Sequence, residues 1–521
     1  MSGSIIKGMV RKGEYYDSVT LMRLAQKLGE LPGVLDSAAV MGSDGNKAIL
    51  QSGGMMIDEV KDACDNDLLI VFKVESADVA DRALGEIDKI LSSLKSYDKL
   101  KAVGIPRTIE SALKEIPDAN LAIISVAGRF AGDEAMRGLQ AGLHVMLFSD
   151  NVPLETENEL KGYATSHGLL VMGPDCGTAI INGVPMGFAN AVKRGDIGIV
   201  AASGTGLQEV SCIISNSGCG VSQAIGTGSR DIGNEVGGKM FIEAVKALAD
   251  DNDTRVILLV SKPPASETLK KIEKVLKDIT KPIVSVFLGA ENQQSTKAIY
   301  YAKSIEEAAM AAVALSKGDD VTKNIGLLEK RDLELGKVAK SEATRMKKGQ
   351  RYIRGLFSGG TFCYEAQVLL KGKLHDIYSN SPIKGYSSLD NAQKSQKHTI
   401  IDMGADEFTL GRLHPMIDFS LRKKRIVLEA GDPETAVILL DIVLGYGANM
   451  NPLEEILPAI KEARDKARDR NISFVCSVTG TEDDPQNRSA ILRGLRESGI
   501  IVEESNAAAC KLAGIIAREL I

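Results

Sequence analysis

The sequence predicts a multidomain α/β protein built on parallel sheets, and three observations lead there. At 521 residues the chain is several times the ~100–200 residues of one domain, so two to four domains are expected. From residue 121 onward, short apolar runs that end in Gly, Ser or Pro alternate with helix-like stretches, as a parallel sheet with crossover helices requires. Glycine supplies 51 of the 521 residues, above the ~7% of ordinary proteins. Much of it falls at the ends of those runs, where α/β sheets turn sharply and bind ligands.

Taken in order, residues 1 to 97 stand apart. Two amphipathic helix patterns, at 19 to 31 and 79 to 94, flank VKDACDNDLLIVFKVES, which suggests a small α+β domain. Residues 98 to 192 carry the runs LAIISVAG (121 to 128), HVMLFS (144 to 149) and GLLVMGP (168 to 174). Residues 193 to 320 carry IGIVAASG (197 to 204), RVILLVSKPP (255 to 264) and PIVSVFLG (282 to 289). Between residues 317 and 351 about half the residues are charged, so 321 to 350 read as a solvated helix or linker. Residues 351 to 521 resume with IRGLFSGG (353 to 360), HTIIDMGAD (398 to 406), ILLDIVLGYG (438 to 447) and SFVCSVTG (473 to 480).

Composition excludes several classes. Lys and Arg number 63 against 69 Asp and Glu, a net charge of −6, with 4% aromatics. No basic block or stacking platform for nucleic acid is present. No run approaches the ~18 apolar residues of a membrane span, and the N-terminus has no signal-peptide core, so a cytosolic protein is expected. The seven cysteines form no CxxC pair, and neither a disulfide framework nor a metal site is expected.

The chemistry lies in an internal echo. GIVAASGTGLQE (198 to 209) and GLFSGGTFCYE (355 to 365) each read as a strand, a Ser/Gly turn and Gly-Thr-x-x-x-Glu entering a helix. A helix start offers unpaired N–H groups and about half a positive charge, so a Gly-rich turn there holds an anion without Lys or Arg. Ser203, Gly204, Thr205 and Gly206, with Ser358, Gly359, Gly360 and Thr361, are therefore candidate phosphate-binding residues. No Lys follows either turn, so neither is a Walker A loop. The same pattern also fits a duplicated fold in which the hydroxyls merely cap helices. Glu209 and Glu365 are candidates for proton transfer, or structural partners of helix N–H groups.

Residues 104 to 317 resemble the α-subunit of succinyl-CoA synthetase: GIPRTIESAL, LLVMGPDCGTAI (169 to 180), IGIVAASGTGLQE (197 to 209), AIGTGSRDI (224 to 232) and KPIVSVFLGA (281 to 290) follow in its order. Residues 350 to 520 are similar to the C-terminal ligase domain of its β-subunit, and the fused arrangement resembles the FdrA family. The resemblance implies a Rossmann-like, CoA-binding-like segment at 98–192 and two flavodoxin-like ligase domains at 193–320 and 351–521. It implies that the two helix starts converge on a phosphoryl group, with Glu209 orienting its carrier. It places the substrate carboxylate at Gly226, Thr227, Gly228 and Arg230, and the acyl or thioester end at Gly173, Pro174, Asp175 and Cys176.

The sequence also departs from that family. Its phosphohistidine should follow KPIVSVFLGA in a Gly-His-Ala-Gly segment, where this chain reads ENQQSTKAIYYAKSIEEAA. The five histidines are His144, His167, His375, His398 and His414. The Gly-rich coenzyme turn is missing, and no ATP-grasp segment is recognised. FdrA-like proteins are associated with purine and allantoin degradation, so the resemblance implies a subunit of oxamate carbamoyltransferase, which converts oxalurate and phosphate to oxamate and carbamoyl phosphate. That reaction requires no cofactor. The alternatives are an NDP-forming acyl-CoA synthetase using CoA and ATP/ADP, and a non-catalytic scaffold subunit. Expected partners are small-molecule substrates and either further copies of the chain or other carbamoyltransferase subunits, without nucleic acid or membrane. Smaller candidates are the acidic run 402 to 407, the loop 479 to 487, and Arg412 with His414.

Overall fold

A computed structural model describes residues 4–14, 16, 18–43, 46–47, 50–51, 53–99, 106–290, 293–409 and 412–520. The first two residues of the GIPRTIESAL motif, and 291–292 of the segment that replaces the family's histidine loop, lie outside the described residues. The chain forms two compact units, Met1–Ala119 with Ala405–His414, and Asn120–Gly404 with Pro415–Ile521.

In the smaller unit β1 (Ile5–Arg11), β2 (Val34–Met41) and β3 (Leu68–Val74) form an antiparallel sheet with β3 in the middle. The central strand LLIVFKV is apolar almost throughout because both its faces are covered. Leu68, Ile70, Phe72 and Val74 share a cluster with Leu24 and Leu28 of the Ser18–Gly29 helix and Ala83 and Ile87 of the Ala77–Lys99 helix. Leu69 and Val71 pack on the other side with Leu50, Met55 and Val60. Arg412, one of the smaller candidates, pairs with Asp36 of β2 at 2.6 Å.

The larger unit holds three sheets. Strands β4 (Leu121–Ile124), β5 (His144–Leu147) and β6 (Val171–Met172) form a small parallel sheet. A seven-stranded sheet follows, ordered β13-β12-β11-β9-β10-β7-β8. Its strands are β7 (Thr178–Ile181), β8 (Val184–Gly187), β9 (Arg194–Ala201), β10 (Val221–Gly226), β11 (Val256–Ser261), β12 (Ile283–Phe287) and β13 (Ile299–Tyr301). Strand β7 runs antiparallel to both its neighbours, β10 and β8, and the other pairs are parallel.

The second seven-stranded sheet is parallel throughout, ordered β16-β15-β17-β14-β18-β19-β20. It comprises β14 (Tyr352–Phe357), β15 (Ile377–Ser379), β16 (Ser387–Ser388), β17 (His398–Asp402), β18 (Thr435–Val443), β19 (Ser473–Thr479) and β20 (Ile501–Glu503). Here β18, TAVILLDIV, is buried along its whole length.

The charged stretch forms one helix, Val321–Ala343. Leu335 and Ala339, one turn apart, join the core of the second sheet beside Ala509 and Ala513 of the Asn506–Glu519 helix, and the charges occupy the remaining faces. No described helix is long and apolar enough to cross a membrane.

Candidate functional site

Strand β9 ends at Ala201, and Ser203 takes an extended backbone (φ −161°, ψ 112°) before the Gly204–Asn216 helix. Its hydroxyl accepts the Gly206 N–H at 3.1 Å, so it caps that helix. Strand β14 ends at Phe357, and the Gly360–Leu370 helix starts after Gly359. Ser358 is committed to β18: its N–H donates to Asp441 Oδ1 at 2.7 Å and its hydroxyl to Asp441 Oδ2.

The two helix starts meet. Ser203 Oγ lies 2.5 Å from Thr361 Oγ1. A Cβ on Gly359 would stand 2.3 Å from Thr205 Cγ2. At φ −132° Gly359 is not strained, so close approach explains its lack of a side chain. A Cβ on Gly360 would stand 2.7 Å from Asp402 Oδ2 at the end of β17, whereas one on Gly204 meets only Thr178 Oγ1 at 3.9 Å.

Glu209 and Glu365 lie one turn into these helices, and both are buried. Glu209 accepts the Asn506 N–H at 2.8 Å and the Thr479 hydroxyl at 2.5 Å. Glu365 accepts the Ile305 N–H at 2.8 Å and the Asn506 side-chain amide at 2.8 Å. The arrangement is reciprocal. Each glutamate satisfies the first N–H of a helix belonging to the other seven-stranded sheet, Asn506–Glu519 for one and Ile305–Lys317 for the other. Burial, then the charge of Glu365, pushes the Glu209 carboxyl up to about 8, and burial pushes Glu365 up to about 7.

The proposed carboxylate and acyl segments also come together. Cys176 Sγ donates to the Gly226 carbonyl at 3.4 Å, and a Cβ on Gly228 would stand 2.5 Å from the Pro174 carbonyl oxygen. The 173 to 176 turn is bonded to the end of β5, with the Asp175 N–H donating to Ser149 O at 3.0 Å and the Cys176 N–H to Leu147 O at 3.2 Å. Burial pushes the Cys176 thiol up to about 12. Its buried side chain packs in the core cluster with Met172, Ala179 and Ile225. Arg230 pairs with Glu157 at 2.8 Å and donates to the Val152 carbonyl at 2.9 Å.

The loop 479 to 487 reaches the site through Thr479, whose hydroxyl donates to Glu209. Asp484 accepts from Asn190 Nδ2 at 2.8 Å and the Ala191 N–H at 2.7 Å, a structural tie. In the acidic run, Asp402 belongs to the larger unit and Asp406 and Glu407 to the smaller. Among the described residues no group of three or more His, Cys, Asp or Glu could hold a metal ion.

No histidine stands at the helix starts among the described residues. The Ile353 N–H donates to His398 Nδ1 at 3.2 Å, and burial holds that ring down at about 4. His144 likewise receives the Leu170 N–H, at 3.0 Å. Both begin their strands, at the ends opposite the site.

Sequence reasoning missed Asn506, Asp441, Lys161 and Glu157. For Asn506 the one local signal is Ser505, whose side chain caps the helix that Asn506 opens. Glu157 and Lys161, spaced i,i+4, look like an ordinary surface pair.

Residues 356–516 match the CoA-ligase family, 192–289 the CoA binding domain, and 2–103 the AllF, heavy metal-associated domain. Soft heavy-metal ions call for thiolate and imidazole ligands. Residues 2–103 contain one cysteine, Cys64, and no histidine, so this donor set does not fit a resident heavy metal.

The uncharacterized protein YahF of Escherichia coli K12 is 40% identical over 519 residues, covering 99% of this chain and 98% of that protein. The ADP-forming sulfoacetate-CoA ligase subunit SauD of Bilophila wadsworthia is 27% identical, over 46% of this chain and 82% of that one. The α-subunit of the ADP-forming succinate–CoA ligase of Staphylococcus aureus is 26% identical, over 40% and 69%. Among solved structures, a dinucleotide-forming acetyl-coenzyme A synthetase 1 of Ca. Korarchaeum cryptofilum, in complex with phosphate and ADP, shares 15% identity over 80% of this chain and 86% of its own, with a TM-score of 0.34. By its likeness to YahF along its whole length and its ordered CoA-ligase-type domains, the chain belongs to the FdrA-like family of NDP-forming acyl-CoA synthetases.

Proposed function

We propose that the two converging helix starts hold the phosphoryl group of an acyl phosphate formed from a small carboxylate, the group that leaves as phosphate when a thiol takes the acyl carbon and the C–O bond breaks, as in an acid–thiol ligase. The supporting observation is the contact of Ser203 and Thr205 with Thr361 and Gly359. One helix start stabilises an anion by roughly 0.3–1 kcal/mol when exposed and up to ~2 when partly buried. Two aimed at one place add, and N–H groups there also stabilise the oxyanion of acyl transfer, by about 2.7–4 kcal/mol per donor.

Within this reading the loop of Gly226, Thr227, Gly228 and Arg230 takes the carboxylate. The segment 173 to 176 packs directly on Gly226 and Gly228, where a Cβ would stand 2.8 Å from Cys176 Sγ and 2.5 Å from the Pro174 carbonyl oxygen, respectively; this reading sets the thioester end of CoA beside that junction, and CoA would supply the accepting thiol. Glu209 and Glu365 have all four oxygens bonded, so proton transfer through either requires one of those bonds to open.

A second reading, phosphate-dependent carbamoyl transfer, is favoured by the lack of a histidine at the helix starts among the described residues. Phosphate oxygen attacks the carbamoyl carbon of oxalurate, the C–N bond breaks, and the leaving nitrogen takes up a proton to give oxamate and carbamoyl phosphate. Neither a phosphohistidine nor CoA is needed. Both readings allow partner subunits.

Purified protein, alone and with candidate partner subunits, is to be given oxalurate with phosphate, and separately ATP, CoA and a small carboxylate. Acyl-CoA and ADP formation supports the ligase reading, and oxamate release that depends on phosphate supports carbamoyl transfer. If neither acyl-CoA and ADP formation nor phosphate-dependent oxamate release occurs with the partner subunits present, the proposal fails. Thr205→Val with Thr361→Val is expected to weaken phosphate use by about tenfold or more, with near-normal melting.

A further inference from the structure

Glu157 and Lys161 lie one turn apart on the Leu154–Ser166 helix, and neither side chain has exposed surface. A buried ammonium needs every proton bonded and its charge compensated. Lys161 Nζ donates to Glu157 Oε1 at 2.8 Å, to Asp231 Oδ1 at 2.9 Å and to the Thr227 carbonyl at 2.9 Å, which uses all three. Two of those acceptors belong to the Gly226–Asp231 loop. Asp231 is fixed from behind as well, accepting the Met240 N–H at 3.3 Å and the Phe241 N–H at 2.7 Å at the start of the Lys239–Asp250 helix.

Arg230 is held by the same cluster. Its Nε meets Glu157 Oε2 at 2.8 Å and its Nη2 donates to Val152 O at 2.9 Å. The ion pair with Glu157 and the hydrogen bond to Val152 tether a guanidinium that is 42% exposed. Among the described residues the buried hydroxyl of Thr227 has no hydrogen-bond partner. In a trans peptide the N–H points opposite to the preceding carbonyl, so drawing the Thr227 carbonyl to Lys161 turns the Gly228 N–H away from it.

We propose that Lys161 and Glu157 are positioning residues for carboxylate recognition. Lys161 sets the loop so that the Gly228 N–H faces away from the buried cluster, and Glu157, through its ion pair with Arg230, holds that guanidinium at the loop for a small carboxylate. This rests on the reading that the Gly226–Arg230 loop takes the substrate carboxylate. The charges balance without a ligand, Lys161 and Arg230 against Glu157 and Asp231, so the loop is preorganised rather than assembled by binding.

The test uses the full chain as wild type, Glu157→Gln and Lys161→Met, with oxamate and succinate as carboxylate probes and inorganic phosphate as the control. Glu157→Gln leaves Lys161 its bonds to Asp231 and Thr227 but turns an amide toward Arg230. Calorimetry is expected to show carboxylate affinity falling about tenfold or more, the weight of one charge-assisted hydrogen bond, with phosphate affinity within about twofold. Unchanged carboxylate affinity, or an equal loss for both ligands, overturns the proposal. If wild type binds neither carboxylate, the reading of the loop as a carboxylate site fails. The positioning role is then read from hydrogen exchange at residues 226 to 231. Lys161→Met is expected to speed it about tenfold or more, and an unchanged rate overturns the role. Should Lys161→Met fail to fold, exchange in Glu157→Gln at Arg230 and Asp231 is read in the same way.

Discussion

Glu209 and Glu365 show how a residue can be legible in kind and hidden in role. Their four-residue spacing from Thr205 and Thr361 is plain in the sequence, but their partners Asn506 and Ile305 lie 297 and 60 positions away. No local pattern announces such pairings. Their carboxyls are raised, so the unfolded chain releases these protons first as pH rises. The stability they contribute is fully present below the ordinary value of 4.5 and is lost as pH climbs through about 7 to 8. Glu209→Gln is compatible with its site, because the Thr479 hydroxyl can turn from donor to acceptor. Thermal unfolding at pH 5 and pH 8 is therefore expected to show a smaller fall in midpoint for Glu209→Gln than for wild type, and an equal or steeper fall refutes the assignment. Glu365 accepts from two N–H donors, so Glu365→Gln sets an amide against one of them and should destabilise at both pH values by about 1–3 kcal/mol, as read by urea unfolding.

Among elements, parallel strands were the easiest to read, because strands covered on both faces are continuous apolar runs. The β7–β8 hairpin was harder. Its turn is carried by Asn182 and Gly183 alone, both at positive φ, between strands of four residues. The helix at 321 to 343 was obscured by its charge, which hides a two-residue apolar contact, Leu335 and Ala339. The helix starts were visible as Gly-rich turns, yet their mutual contact is tertiary. That contact predicts a contrast between two glycines. Gly359→Ala should force the starts apart at a cost of about 1–3 kcal/mol, whereas Gly204→Ala, with ordinary contacts only, should change stability by less than about 1 kcal/mol. Comparing the melting midpoints of the two variants decides it.

At the scale of the whole molecule, the order of motifs revealed the family, and the missing histidine separated this chain from that family's usual carrier. Neither Lys161 beneath the loop 226 to 231 nor Asp441 beneath Ser358 could be seen, since each is brought into place by the fold. The reciprocal glutamate contacts couple the two seven-stranded sheets of the larger unit. That unit is expected to unfold in one cooperative step, with hydrogen exchange in β9 and β14 reporting the same opening free energy within about 1 kcal/mol. Independent opening of the two strands would show that the contacts do not couple the sheets.

The central claim is that two helix starts form one phosphate site, and calorimetric titration of inorganic phosphate tests it most directly. Wild type should bind, and Gly359→Ala should bind about tenfold more weakly or worse while its oxamate affinity is unchanged. Equal phosphate affinity in the two proteins would contradict the account.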